Sequence, residues 1–104
     1  MSAEYLQLTV YVDQNDTSGD VPLYEAIVRR LLHLGVAGAT VQRGVMGYGR
    51  HGRVHHQRLL GVSDDRPMTI VAIDESPRLR LAAAEIRKLV KEGVITLHAV
   101  ERVE

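Results

Sequence analysis

The chain has 104 residues, with 13 Lys and Arg against 13 Asp and Glu, no cysteine, no tryptophan, no phenylalanine and 4 tyrosines. This length suits one domain, read over 1–104, with a modest core that would gain from oligomerisation. Zero net charge and scarce aromatics argue against a nucleic-acid platform, and the missing thiols exclude disulfides, thiol catalysis and thiolate metal sites.

The N-terminus lacks a basic segment followed by an apolar run, so no signal peptide is read there. No apolar stretch nears the roughly 18 residues of a membrane span. A soluble protein of the reducing cytoplasm is expected.

Tyr5 to Asp13 alternates, with Leu6, Leu8, Val10 and Val12 on one side and Tyr5, Gln7, Thr9 and Tyr11 on the other. Period two over that length predicts a strand. Asp13 to Asp20 is rich in turn formers and reads as a loop, and Asp20 is the expected cap of a helix carrying Pro22 in its first turn. Leu23, Ile27, Leu31 and Leu34 then recur at helical spacing until Gly35. Val36 to Met46 returns to β-type residues, with Gly44 predicted to mark a bulge or a close backbone approach.

Gly47 to Ser63 reads as a long loop with a short extended piece around Val54 to Leu60, and loops of this length in compact domains are usually functional. Met68 to Asp74 is apolar on both faces apart from Thr69, which predicts a central strand or one covered by another subunit. Ser76 and Pro77 open a second helix with Leu79, Ala82, Ala83, Ile86, Leu89 and Val90 on one stripe, ending by Gly93. Val94 to Val103 is the last strand. The order βαββαβ predicts an α+β, ferredoxin-like fold: a four-stranded antiparallel sheet with both helices on one face. The other face, carrying Tyr5 and Tyr11, then needs cover from another subunit.

Charge is uneven along the chain. Between Ala26 and Ser63 there is no Asp or Glu, yet Arg29, Arg30, Arg43, Arg50, Arg53 and Arg58 all fall there, interleaved with Gly44, Gly47, Gly49 and Gly52. Arginine forks and glycine amides suit an anion, and Arg43 and Arg50 are the first candidates for its contact. His51, His55 and His56 could hold a metal if an oligomer brought copies together. No acid–base pair or activated nucleophile can be assembled, so no enzymatic activity is expected.

The run GVAGATV followed by GYGR resembles the start of the T-loop in PII signalling proteins, with one extra residue between Val41 and Gly47. PLYEAIVRR, AGATVQRGVMGYG, GRVH and KEGVITL are similar to a PII-like family, domain of unknown function 190 (DUF190). The resemblance implies a homotrimer whose inter-subunit clefts bind an adenine nucleotide, with the loop at about 47–63 docking on a partner. It places Thr40, Gly47, Tyr48, Gly49 and Arg50 on the loop side of the cleft and Gly93 and Arg102 on the other. Lys91 stands in for a lysine that PII proteins carry after the glycine matched by Gly93, where this chain has Val94. That departure widens the effector to AMP, ADP, ATP or cyclic AMP. A membrane transporter or channel is the implied partner class. The alternatives are a metal-binding trimer using the loop histidines, in the manner of copper-tolerance proteins, and a trimeric interaction module with no small ligand.

Overall fold

The computed structural model describes residues 4–49, 54–56 and 66–103. Four long strands make one antiparallel sheet: β1 (Tyr5–Asp13), β4 (Ala39–Arg43), β7 (Pro67–Glu75) and β8 (Val94–Val100), in the order β4-β7-β1-β8. Helices α1 (Leu23–His33) and α2 (Ser76–Leu89) pack on one face, which is the expected ferredoxin-like arrangement. Two short ribbons are added, β2 (Thr17–Ser18) with β3 (Val21–Pro22), and β5 (Met46–Tyr48) with β6 (Val54–His56).

The core follows the alternation of the two central strands. Leu6, Leu8, Val10 and Val12 of β1 and Met68, Ile70 and Ala72 of β7 are buried against Leu23, Ile27 and Leu31 of α1 and Leu79, Ala82 and Ile86 of α2. Full burial of a side chain of this size stabilises by about 1.5–3 kcal/mol, so this layer dominates the folding energy. Between the helices, Glu85 of α2 meets Arg30 of α1 at 3.9 Å and Lys88 at 3.2 Å. These half-exposed pairs add at most about 1 kcal/mol each.

Three expectations fail locally. Asp20 does not cap α1: Pro22 occupies the N-cap position without a side-chain cap, and the Leu23 N–H donates to the Asp16 carbonyl at 2.7 Å. Asp20 lies instead in the turn of the β2–β3 ribbon, beside Gly19 at φ 61°. The loop expected from Gly47 begins as a strand, because Gly47 and Tyr48 belong to β5 and pair with His55 and Val54. Of the expected extended piece, Val54–His56 form β6, and 57–60 fall outside the described residues. The last strand ends at Val100 rather than Val103.

Gly44 makes the predicted close approach. Its N–H donates to the Pro67 carbonyl at 2.7 Å, and a Cβ there would lie 2.7 Å from Pro67 Cγ. The opposite face of the sheet, away from the helices, leaves Tyr11, Ile73 and Val94 substantially exposed. Among the described residues, no helix is long and apolar enough to cross a membrane.

Candidate functional site

The α1–β4 connection shapes the larger cleft. α1 closes when Leu34, Gly35 and Val36 donate to the carbonyls of Arg30, Leu32 and Leu31, with Gly35 at φ 79°, a conformation glycine adopts without steric cost. Val36 then turns into the core, and Ala37 and Gly38 lead to β4. Here the chain borders an open cleft of about 550 Å³ with Tyr5, Thr40, Ile73 and Arg102 among its lining residues.

Arg102 is set over the Tyr5 ring, 5.3 Å from its centroid, and its Nη1 donates to the Tyr5 hydroxyl at 3.1 Å. The cleft thus offers a hydroxyl at Thr40, a guanidinium at Arg102, and an apolar floor from Val71 and Ile73. That combination suits a flat polar ring or an anion with an apolar portion.

Asp74 secures the wall of this cleft. It is buried, and its Oδ2 accepts the Ala37 N–H at 2.9 Å and Arg78 Nη1 at 3.3 Å, while Oδ1 accepts the Glu75 N–H at 2.7 Å. Burial pushes the Asp74 carboxyl up, but the amides of Glu75 and Ala37 and the Arg78 guanidinium outweigh it and hold the group below its ordinary value.

The remaining predicted residues lie elsewhere. Arg43 ends β4, Gly47 and Tyr48 lie in β5, and Gly49 follows it in the open. Lys91 borders a second cleft of about 440 Å³ with Thr17, Ser18, Lys88 and Glu92. Gly93 precedes β8 at φ 147°, where a Cβ would lie 2.7 Å from the Tyr11 carbonyl oxygen and 2.9 Å from Val90 Cγ1. Backbone packing alone therefore demands glycine at 93. Arg50 and His51 fall outside the described residues. His55 and His56 are described by their β6 pairing to Gly47 and Met46. Among the described residues, no cluster of three or more His, Asp or Glu is placed to hold a metal ion.

Within one chain, then, Thr40 and Arg102 share a cleft. Arg43 and Gly93 lie toward one end of the sheet on opposite edge strands, with β7 and β1 between them. Three strand spacings are roughly 14 Å, beyond what one phosphate could bridge. Tyr5 and Asp74 were not among the predicted site residues. For Asp74 a signal existed: within β7 it is the one charge in phase with Met68, Ile70 and Ala72.

The profile of DUF190, described as an uncharacterized ACR, matches residues 5–102. A UPF0166 protein of Aquifex aeolicus (strain VF5) is 29% identical over 94 residues, covering 90% of this chain and 89% of that protein. Among solved structures, CPII from Thiomonas intermedia K12, a nitrogen regulatory PII-like protein bound to ADP, AMP and bicarbonate, superposes with a TM-score of 0.71 at 19% identity, over 93% of this chain and 86% of that one. The divalent ion tolerance protein CutA1 from Ehrlichia chaffeensis gives 0.68 at 11% identity, over 100% of this chain and 88% of that one. At such identities the likeness to CPII and CutA1 is one of fold.

Proposed function

The chain belongs to the DUF190 family and has the PII-like, ferredoxin-like fold, and from this we propose that it is a regulatory protein that binds an adenine nucleotide in clefts between subunits of a homotrimer. The observation that carries the reading is the split of the candidate contacts between the two edges of one sheet, Arg43 at the end of β4 and the stretch from Lys91 to Gly93 before β8. A head-to-tail ring of copies sets one edge strand of each subunit against the other edge of the next. Such heterologous contacts form a cyclic oligomer when the rotation between copies closes, as a third of a turn does for a trimer. The exposed apolar residues Tyr11, Ile73 and Val94 on the helix-free face give that assembly something to bury. CPII, similar in fold, holds ADP and AMP.

In this reading Thr40, Tyr48, Arg50 and Arg102 approach the nucleotide from one subunit, Thr40 and Arg102 through the cleft they share, and Lys91 from the neighbouring one. Arg43 and the amides of Gly47 and Gly49 face its phosphates. A partner would read occupancy through the segment at about 47–63 that begins in the β5–β6 ribbon; the family resemblance points to a membrane transporter or channel. The role is regulatory rather than catalytic.

The test is calorimetric titration of the purified protein with ATP, ADP, AMP and cyclic AMP, with and without magnesium, beside a solution mass. Saturable micromolar binding at one ligand per subunit of a trimer is expected. No heat from any of the four on a folded trimer would refute nucleotide binding and favour the ligand-free interaction module.

A further inference from the structure

β4 pairs with β7 only from Ala39, opposite Ala72, so Ala37 and Gly38 lie beyond the paired register. The next backbone group back along the chain is caught by a side chain instead. Asp74, buried on the core side of β7, accepts the Ala37 N–H at 2.9 Å across 37 positions of sequence. Its other oxygen is engaged by the Glu75 N–H at 2.7 Å, so the carboxylate cannot turn without losing a second bond. Arg78, half exposed, balances the charge from α2 at 3.3 Å. The segment so fixed, Ala37 to Thr40, borders the same cleft as Tyr5 and Arg102.

We propose that Asp74 is a positioning residue for ligand binding: its carboxylate completes the β4–β7 ladder with a side-chain rung and so sets the distance between the Ala37–Thr40 wall and the Tyr5–Arg102 side of the cleft. Asp74 itself borders the cleft, but both of its carboxylate oxygens are taken by the Ala37 and Glu75 amides and Arg78. It acts through the Ala37 amide, in the way that a second layer of hydrogen bonds holds contact residues in productive geometry. The proposal rests on the nucleotide reading of this cleft.

The experiment compares wild type, Asp74→Asn, Arg78→Ala and Ala37→Pro. Amide hydrogen exchange at position 37 and at Leu8 and Ile70 is followed by NMR in the free proteins. Binding of ADP and AMP is measured by calorimetry. Asp74→Asn is expected to exchange the Ala37 amide at least about tenfold faster, to keep Leu8 and Ile70 protected, and to bind about tenfold more weakly. Arg78→Ala, which keeps both carboxylate–amide bonds, is expected to stay within about threefold of wild type in both measurements. Ala37→Pro deletes the same bond from the donor side and is expected to weaken binding like Asp74→Asn, which keeps the question answerable if Asp74→Asn does not fold.

Wild-type affinity in a folded Asp74→Asn or Ala37→Pro protein would overturn the positioning role while leaving nucleotide binding intact. Absence of binding to wild type would overturn the nucleotide reading and this assignment with it.

Discussion

Replacing Gly93 with alanine probes the tightest backbone contact in the fold. The residue sits at φ 147°, and the added Cβ would lie 2.7 Å from the Tyr11 carbonyl oxygen, 2.9 Å from Val90 Cγ1 and 3.3 Å from Val12 Cγ1. The conformation alone costs about 1–3 kcal/mol for a residue with a side chain. Of the neighbours, the Tyr11 oxygen cannot swing aside, since it belongs to a central strand, and overpacking of this kind costs about 1–3 kcal/mol more. The expected loss is therefore about 2–6 kcal/mol. For a domain of this size that lowers Tm by roughly 10–30 °C and the urea midpoint by roughly 1–3 M.

Far-UV circular dichroism at fixed protein concentration, without ligand, reads both quantities. Gly49→Ala serves as control, because a Cβ at 49 meets nothing within 4 Å, and it should stay within about 0.5 kcal/mol of wild type. A Gly93→Ala protein that melts within about 2 °C of wild type would refute the packing account. It would also return Gly93 to consideration chiefly as a ligand contact.

Three further outcomes are expected. Arg102→Ala and Thr40→Val should each weaken ADP and AMP binding, by about 10- to 100-fold for the arginine, with little change in Tm, measured by calorimetry and thermal melting. Ile73→Glu places a charge in the middle of the helix-free face and should lower the solution mass toward that of a monomer, read by light scattering. Asp74, whose folded pKa lies below its ordinary value, contributes stability that is complete above about pH 4 and is lost as pH falls through the folded value. Urea midpoints between about pH 7 and pH 3 should fall less steeply in Asp74→Asn, which itself costs about 1–3 kcal/mol at neutral pH.

Strands whose partners lie on both sides of them declare themselves in sequence. β1 was legible to the residue at both ends, because its alternation is enforced by a buried face. β7 differed by one residue at each end. Gly44 was legible as a close approach because a glycine amid β-branched residues has few other reasons to be there. The β5–β6 ribbon was not, since Met46, Gly47 and Tyr48 have no common apolar phase and their pairing depends on residues further along. Asp20 misled because a short polar residue before a helix serves as well in a turn, and the Asp16 carbonyl had already taken the Leu23 N–H.

In the candidate site, Thr40 and Arg102 could be named only through resemblance to a family, because nothing local marks a threonine or an arginine as lining a cleft. Asp74 carried a physical signal, a charge in the buried phase of an apolar strand. Its hydrogen-bond partner, Ala37, depends on the long-range register that brings β4 beside β7.

The clasp at Gly44 and Pro67 bears on how freely the intervening stretch can change. The Pro67 carbonyl is held by the Gly44 N–H at 2.7 Å, and the neighbouring Arg66 carbonyl by the Gln14 N–H at 2.8 Å. Both feet of the excursion are therefore anchored to the sheet independently of what lies between them. Once ends are fixed, doubling the enclosed length adds only about 0.6 kcal/mol of closure entropy. Changes of length between these anchors therefore carry little closure cost of their own. Partner choice could then diversify among relatives at little closure cost, with the sheet acting as a common socket for whatever sequence is set between the two anchors.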